Sequence, residues 1–349
     1  MSLEDFDYEC PEHLIAQEPL KDRSSCKLMH LNDKAEIHHH TFSELIHLIP
    51  KNALLLLNDT KVQHARIPIL RKSGAQGEML IQQADPMGSY IAMGRPSKRL
   101  KVGERVICKK NHTYEIELLE QLEGGNWRLD LHPPINHPQE LDIVGEIPLP
   151  PYIQRPDGPS ENDNELYQTV FAKQIGSAAA PTASLHFTEE LLEQLKSKGI
   201  QIETLTLHVG SGTFLPIRSE SIEDHIMHKE IYDISQHCAL EILKAKSEKR
   251  PIVAVGTTVV RAVESAANEI LKGLSAQNET RLFIKPSYDF KIIDELITNF
   301  HLPKSTLLML VASFCGSENL MKAYQNAIKN DYRFFSYGDA MYLKRVIHS

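Results

Sequence analysis

Three histidines stand at positions that suit proton transfer. His186 follows the small-residue run GSAAAPTASL, His208 ends the apolar segment LTLH, and His301 follows LITNF. A histidine side chain gains and loses a proton near neutral pH, which is the property that general acid–base catalysis needs. The segments before His208 and His301 are predicted strands, and α/β folds place ligands at the carboxyl ends of their strands.

The segment GSAAAPTASLHFT at 176–188 is unusual for its lack of bulk. It is too rich in Ala and Gly, and too interrupted by Pro181, for a well-packed strand, and it has no charge for a solvated linker. Small side chains let another group approach the backbone closely. The run is therefore predicted to lie against a ligand, just before the helix EELLEQLKSKG.

Two further segments have the form of a strand that runs into a ligand-binding turn. In PIVAVGTTVVRAVESA a buried strand ends at Gly256 and two threonines open a helix, whose free N–H groups favour an anionic or polar ligand. A well-capped helix explains the same pattern without a ligand. LTLHVGSGTF at 205–214 lacks the third glycine of a dinucleotide fingerprint, and the HLPKST run, which resembles a phosphate loop without its glycines, is explained by helix capping.

Histidine spacing also allows a metal hypothesis. His225 and His228 would share one face of a helix, and Glu230 and His237 could complete a ligand set. The spacing matches no standard zinc signature, and a chance pair is unsurprising among 17 histidines. We predict no metal, and a metal-dependent hydrolase stays as an alternative.

The stretch GRPSKRLK is the best candidate for phosphate contacts. It concentrates positive charge in a chain whose formal net charge is −8, so nucleic acid would have to bind a local patch. A solvated hairpin is the competing interpretation. The predicted tRNA-binding residues are Arg95, Lys98, Arg99 and Lys101.

Composition and termini bound the class of protein. With 42% hydrophobic and 24% charged residues, the 349-residue chain is typical of a globular protein with two or three domains. Its five cysteines form no CxxC pair and its N-terminus is acidic, which favours a reducing cytoplasm. The longest apolar run, TLLMLVASFC, is about half of the ~20 residues that span a bilayer, so no membrane segment is expected.

The pattern along the chain predicts an α/β fold with an inserted barrel. The run LLLLN at 54–58 is typical of a strand buried on both faces. Short alternating segments from about Arg66 to Ile147 predict a small β-barrel, and the remaining chain alternates strands and helices. We expect a mixed, mostly parallel sheet with flanking helices, divided as 1–65 and 148–349 for the α/β domain and 66–147 for the inserted β-barrel domain.

Taken together, these segments resemble the S-adenosylmethionine:tRNA ribosyltransferase-isomerase family of queuosine biosynthesis, nearly from end to end. The stretches that carry the resemblance are FDYECPEHLIAQEP, LLLLNDTKV, GRPSKRLKVGE, GEIPLPPYIQRP, LYQTVFA, GSAAAPTASLHFT, LTLHVGSGTF, HIMHKE, VAVGTTVVRAVES, LITNFHLPKSTLLMLV and YRFFSYGDAM. So many ordered segments make a chance agreement implausible.

The resemblance implies a transfer and isomerisation of the ribosyl group of S-adenosylmethionine onto 7-aminomethyl-7-deazaguanine at the tRNA wobble position. Epoxyqueuosine in tRNA, adenine and methionine would be the products, with S-adenosylmethionine as co-substrate and no cofactor. We expect no membrane partner and a monomer or weak homo-oligomer. A non-catalytic RNA-binding protein, relying on the GRPSKRLK patch alone, is the other alternative.

The resemblance also suggests roles for particular residues. His186, His208 and His301 are the predicted acid and base groups, with no order assigned. The residues predicted to hold S-adenosylmethionine are Thr182, Arg261, Glu264, Asn299, Asp59, Tyr152 and Arg155, of which the last three come from stretches near the domain junction.

The sequence departs from the family pattern at six positions. The residues concerned are Cys26 for the usual arginine, Ala178 for valine, Ser184 for glycine, Val259 for serine, Lys285 for an aromatic residue and Ser287 for glycine. If the backbone at 184 had a positive φ, serine would be strained there. The serine at 184 therefore raises the question whether the loop around it keeps the backbone geometry of the family.

Overall fold

The computed structural model describes residues 2–85, 88–210, 222, 225 and 227–346 of the chain. Its strands are β1 (Lys27–Leu31), β2 (Ile37–Thr41), β3 (Leu54–Asn58), β4 (Thr60–Val62), β5 (Arg66–Leu70), β6 (Gln76–Ala84), β7 (Tyr90–Arg95), β8 (Arg105–Cys108), β9 (Glu115–Gln121), β10 (Asn126–His132), β11 (Gln174–Ser177), β12 (Gln201–His208), β13 (Glu230–Ile234), β14 (Ile252–Val255), β15 (Ala276–Thr280), β16 (Glu295–Asn299) and β17 (Ala340–Lys344). Its α-helices are α1 (Leu45–Leu48), α2 (Asp163–Leu166), α3 (Glu189–Ser197), α4 (Gln236–Ser247), α5 (Thr257–Ser265), α6 (Ala267–Ile270), α7 (Thr306–Cys315) and α8 (Ser317–Lys329).

A nine-stranded mixed sheet forms the centre of the α/β part. Its order is β15-β13-β12-β3-β14-β16-β17-β1-β2. Strand β3 pairs in parallel with β12 and β14, and β14 pairs in parallel with β16, so these four carboxyl ends meet at one edge of the sheet. All five residues of β3 are buried, because helices or loops cover both faces. The predicted α/β fold with a mixed sheet and flanking helices is confirmed. Four of the eight pairings between the described strands of this sheet are parallel, three of them in the centre and the fourth between β1 and β17, so the sheet is evenly mixed rather than mostly parallel.

The inserted segment closes into a β-barrel. Strands β5 to β10 pair in the order β10-β7-β6-β5-β8-β9 and the first meets the last. Alternate residues point inward, so Ile67, Met79, Ile116 and Trp127 fill the interior and are fully buried. The predicted barrel is confirmed, while the proposed three-part division of the chain stays a prediction.

No helix within the described parts of the chain combines the length and the apolar character needed to span a membrane.

Candidate functional site

A cleft opens beyond the carboxyl ends of the parallel strands β14 and β16. It encloses about 620 Å³, part of it open to solvent. This is the edge at which α/β folds bind ligands, because the strand-to-helix turns diverge there. The residues that line it are Tyr152, Ala180, Pro181, Thr182, Ala183, Val209, Gly256, Thr257, Thr258, Thr298, Asn299, Phe300, His301, Leu302, Ser305, Leu307, Phe335 and Ser336.

The amino terminus of α5 forms one wall of the cleft. Gly256 connects β14 to α5 with a φ of 91°, a left-handed conformation that glycine adopts without strain. It has no side chain to bond the N–H groups of the first helical turn, and Thr257 and Thr258 of that turn line the cleft. The helix dipole and these N–H groups favour an anionic or polar ligand group.

The small residues that the sequence singled out form a second wall. Ala180, Pro181, Thr182 and Ala183 line the cleft, and the last two begin a 3₁₀ turn that runs from Thr182 to His186. Their short side chains leave the backbone close to the open space. The structure therefore brings Thr182 to the same cleft as α5.

Asn299 ends strand β16 at the base of the cleft and is held by its amide nitrogen. Nδ2 donates to the carbonyl oxygen of Phe335 at 3.0 Å and lies 3.1 Å from Nε2 of His186. The residue is only 2% exposed. Its side-chain oxygen, Oδ1, is buried and has no hydrogen-bond partner in the described part of the chain.

His186 lies behind Asn299 and does not line the main cleft. It borders a smaller adjoining cavity together with Cys26 and Arg23, and its ring packs on Phe42 at a centroid distance of 5.1 Å. Burial, reinforced by the positive charges of Arg333 and Arg23, lowers the pKa of His186 to about 3. The ring is therefore neutral at pH 7.

His301 is the predicted histidine that faces the cleft directly. Its Nε2 lies 2.8 Å from Oγ1 of Thr298, and its backbone N–H donates to the hydroxyl of Tyr324. Burial lowers the pKa of His301 to about 3, so this imidazole is also neutral at pH 7. A neutral imidazole can accept a proton or a hydrogen bond.

His208 and Asp59 lie at a second, separate cavity of about 870 Å³. Successive residues of a strand point to opposite faces, so Val209 faces the cleft and His208 faces the other cavity. His208 Nδ1 lies 2.8 Å from Oγ1 of Thr60, and Asp59 accepts a hydrogen bond from Thr206 at 2.7 Å. Burial raises the pKa of Asp59 and lowers that of His208.

Arg261 and Glu264 of α5 point into the protein rather than into the cleft. The Arg261 guanidinium pairs with Glu230 and also donates to the carbonyl of Leu282. The Glu264 carboxylate accepts the backbone N–H groups of residues 291–293. Both side chains thus hold neighbouring backbone segments in place.

Tyr152 and Arg155 lie on either side of the junction with the barrel. Tyr152 lines the cleft, and its hydroxyl lies 2.7 Å from that of Ser336. Arg155 pairs with the buried Asp163 at 3.0 Å and borders a groove of about 1260 Å³ between the barrel and the segment 148–156. Of the residues predicted to hold S-adenosylmethionine, the cleft therefore contains Thr182, Asn299 and Tyr152.

The predicted tRNA-binding residues lie on the outside of the barrel. Arg95 is 3.5 Å from Glu78, whereas Lys98 and Arg99 lie on an exposed 3₁₀ turn after β7. Lys101 is exposed just beyond them. Their exposure is compatible with phosphate contacts and with a solvated hairpin alike.

The four alternative metal ligands do not come together as a set among the described residues. Residues 225 and 227–229 are not helical, and the His225 ring packs edge-on against Phe283. Glu230 is paired with Arg261, and His237 lies 3.4 Å from Glu203. Residues 2–85, 88–210, 222, 225 and 227–346 contain no group of three or more side chains that could hold a metal ion. Residues 211–214 of the glycine-rich turn lie outside the described residues.

Sequence reasoning missed the contribution of Phe335 and Ser336. Phe335 has a φ of 68°, which is rare for a residue with a side chain and often marks a functional site. This backbone turns its carbonyl oxygen towards Asn299 and its ring towards Tyr152. The stretch YRFFSYGDAM carried the family resemblance, but no sequence pattern indicates a left-handed phenylalanine.

The six departures from the family pattern have unequal structural consequences. Ser184 does not have a left-handed φ, so the strain considered for that loop is absent, although its buried hydroxyl has no partner within the described residues. Ser287 does have a left-handed φ, of 80°. The Cys26 sulfur lies 3.3 Å from Nδ1 of His186. Val259 is fully buried in the main apolar core, where an apolar side chain is suited. Nothing in the structure explains Ala178.

The sequence matches the family described as "Queuosine biosynthesis protein" over residues 3–343. It is 46% identical over 346 residues to the S-adenosylmethionine:tRNA ribosyltransferase-isomerase of Treponema denticola, with 98% of this chain and 99% of the relative covered. The protein of that name from Staphylococcus haemolyticus is 44% identical over 343 residues, with the same coverage. The crystal structure of the S-adenosylmethionine tRNA ribosyltransferase from Thermotoga maritima is similar with a TM-score of 0.54 and 34% identity, covering 97% of this chain and 99% of that one.

Proposed function

The chain belongs to the queuosine biosynthesis protein family of S-adenosylmethionine:tRNA ribosyltransferase-isomerases, and from this membership we propose its substrates and products. It is a transferase and isomerase that modifies tRNA. In our proposal it transfers and isomerises the ribosyl group of S-adenosylmethionine onto 7-aminomethyl-7-deazaguanine at the wobble position. The products are epoxyqueuosine-tRNA, adenine and methionine, and no cofactor is required.

The chemistry of this reaction makes three demands on a site. The sulfonium acidifies the adjacent C5′ hydrogens, so a base must be positioned beside them. Adenine leaves more readily when a group donates a proton to it, and the amine of the 7-deazaguanine must be neutral to attack. Each general acid or base group of this kind accelerates the reaction by about 10²- to 10⁴-fold.

The observation that carries the proposal is the composition of the cleft. One cleft combines a helix amino terminus at Thr257, a neutral imidazole on His301 and a buried amide oxygen on Asn299 that has no partner among the described residues. The first suits the carboxylate of the methionine part, and the neutral imidazole suits acceptance of a hydrogen bond from the ligand. With a pKa of about 3, His301 is a weak general base at pH 7, so its predicted acid–base role stays a prediction. The short side chains at 180–183 would allow adenosine to approach the backbone closely.

Residues outside the cleft receive different parts in the proposal. His208 and Asp59 lie at the separate cavity, so the role of His208 in proton transfer and that of Asp59 in holding S-adenosylmethionine stay predictions from the sequence. Lys98, Arg99 and Lys101 are candidates for its backbone phosphates. The cytoplasmic location and the monomeric or weakly oligomeric state stay predictions from the sequence.

The decisive experiment is to incubate the purified protein with S-adenosylmethionine and tRNA that carries 7-aminomethyl-7-deazaguanine. Free adenine is measured by liquid chromatography and the modified nucleoside by mass spectrometry. We expect adenine release only with the modified tRNA. Binding of tRNA without adenine release would instead favour the non-catalytic RNA-binding alternative. Stoichiometric metal in the purified protein would favour the metal-dependent hydrolase alternative.

A further inference from the structure

Both N–H groups of the Asn299 amide have an acceptor, one in Phe335 and one in His186. The carbonyl oxygen of Phe335 can only accept a hydrogen bond, so the amide atom 3.0 Å from it must be the nitrogen. The second N–H then points at Nε2 of His186, 3.1 Å away. The reversed amide would place two acceptor oxygens against each other, which excludes it.

The same hydrogen bonds fix the protonation state of His186. Because Nε2 accepts a hydrogen bond from Asn299, it carries no hydrogen, and a neutral imidazole must then carry its hydrogen on Nδ1. Nδ1 lies 3.3 Å from the sulfur of Cys26, which can accept that hydrogen. Burial raises the pKa of the Cys26 thiol, so the sulfur stays protonated and neutral beside the ring.

One polar atom of the amide is left over. The oxygen of Asn299 is buried, it has no partner in the described chain, and the residue lines the cleft. A buried acceptor without a partner destabilises the protein, and a bound donor removes that cost. The orientation of the amide therefore determines which ligand groups the cleft favours at this point.

We propose that His186 is a positioning residue that, with the carbonyl of Phe335, turns the oxygen of Asn299 towards the cleft as an acceptor for an N–H or O–H group of the ligand. The identity of that ligand as S-adenosylmethionine rests on the proposed function. S-adenosylmethionine offers such donors in its ammonium group, its ribose hydroxyls and its adenine amine. His186 thus acts through Asn299, without contact to the reacting atoms.

The first test measures the protonation state of His186 in the wild-type protein. In the ¹⁵N spectrum of histidine-labelled protein, protonated and unprotonated ring nitrogens have well-separated shifts, and comparison with H186Q identifies the signals of His186. We expect Nδ1 protonated and Nε2 unprotonated between pH 6 and 8. A hydrogen on Nε2 would reverse the assignment of the amide and overturn the proposal.

The second test measures binding of S-adenosylmethionine by calorimetry without tRNA, so that no turnover occurs. H186F removes one of the two acceptors that hold the amide and leaves one buried N–H without a partner, so the amide is held less firmly by the carbonyl of Phe335 alone, and we expect the variant to lose affinity about 10-fold or more. H186Q restores an acceptor oxygen and should stay within about 3-fold of the wild type. N299L should weaken binding at least as much as H186F, and adding H186F to N299L should weaken it no further.

Other outcomes contradict the proposal in distinct ways. Additive losses in H186F and N299L would mean that the two residues act independently. An H186Q variant that binds normally but has lost turnover would assign His186 to the chemical step. If the wild type binds no S-adenosylmethionine, the proposed ligand fails, while the ¹⁵N measurement still decides whether the amide is oriented as described.

Separate probes locate the donor within the ligand. Adenosine and methionine are titrated individually into the wild type and N299L. A loss confined to methionine identifies the ammonium group, and a loss confined to adenosine identifies a hydroxyl or the adenine amine. Unchanged binding of both probes and of S-adenosylmethionine in N299L would overturn the acceptor role.

Discussion

Arg261 and Glu230 form an ion pair that is buried between α5 and β13. Their exposed fractions are 4% and 3%, and Arg261 also donates to the backbone of Leu282. Replacement of Arg261 alone removes this ion pair from the buried Glu230 carboxylate. We predict that R261M lowers the free energy of unfolding by about 3–5 kcal/mol in chemical denaturation.

The double variant R261M/E230M separates this structural role from ligand binding. Since no unpaired charge is left, it should lose less stability than R261M alone. Its affinity for S-adenosylmethionine, measured by calorimetry, also tests the sequence-based prediction that Arg261 holds this ligand. Equal stability losses in the single and double variants would contradict the ion-pair argument.

His186 makes the stability of the protein depend on pH. Its pKa lies at about 3 in the folded protein and near the ordinary value of 6.5 when the chain unfolds, because burial and the charges of Arg333 and Arg23 oppose protonation. The unfolded chain therefore binds a proton first, and stability that is present above pH 6.5 is lost as the pH falls towards 3. From pH 8 to pH 5 this loss is ~2 kcal/mol.

The variant H186Q isolates that contribution. We expect the wild type to lose about 2 kcal/mol more than H186Q between pH 8 and pH 5 in urea denaturation. H47Q, which changes an exposed histidine of α1, is the matched control and should follow the wild type. If the free energy of unfolding changes with pH in the same way in H186Q and the wild type, His186 has the same pKa in the folded and the unfolded protein, which would contradict the prediction.

The fold followed from local patterns, whereas the site depended on distant contacts. The apolar run of β3 and the alternation of the barrel strands predict elements because burial repeats with the period of a strand. The face of His208 follows from the register of β12 against β3, which no local pattern specifies. The orientation of Asn299 depends on the carbonyl of Phe335, 36 residues away in the chain. Residue types therefore indicated candidates, but only the tertiary structure separates those in the cleft from those beside it.

Ser287 holds a strained backbone conformation at an exposed position. Its φ of 80° costs an ordinary residue about 1–2 kcal/mol, whereas glycine adopts it freely. Glycine also makes the unfolded chain more flexible, which offsets part of the gain. We predict that S287G raises the free energy of unfolding by about 0.5–1 kcal/mol.

Ser43 provides the control for this substitution. It is exposed and its φ is not left-handed, so S43G should lower the free energy of unfolding by about 0.5–1 kcal/mol. Both variants are compared with the wild type by urea denaturation. A loss of stability in S287G as large as that in S43G would refute the strain at residue 287.

Lys98 and Arg99 offer a direct test of tRNA binding by the barrel. Both are exposed on the turn after β7, so each can contact a phosphate without breaking a buried contact. A lost phosphate contact lowers the slope of log affinity against log salt by about 0.7–0.9. We predict that K98A and R99A each weaken tRNA binding and reduce this slope by ~1, with folding and S-adenosylmethionine affinity unchanged.

K34A, which removes an exposed charge between β1 and β2, is the control and should leave the slope as it is. If K98A and R99A also leave it unchanged, the GRPSKRLK stretch is a solvated hairpin and tRNA binds elsewhere.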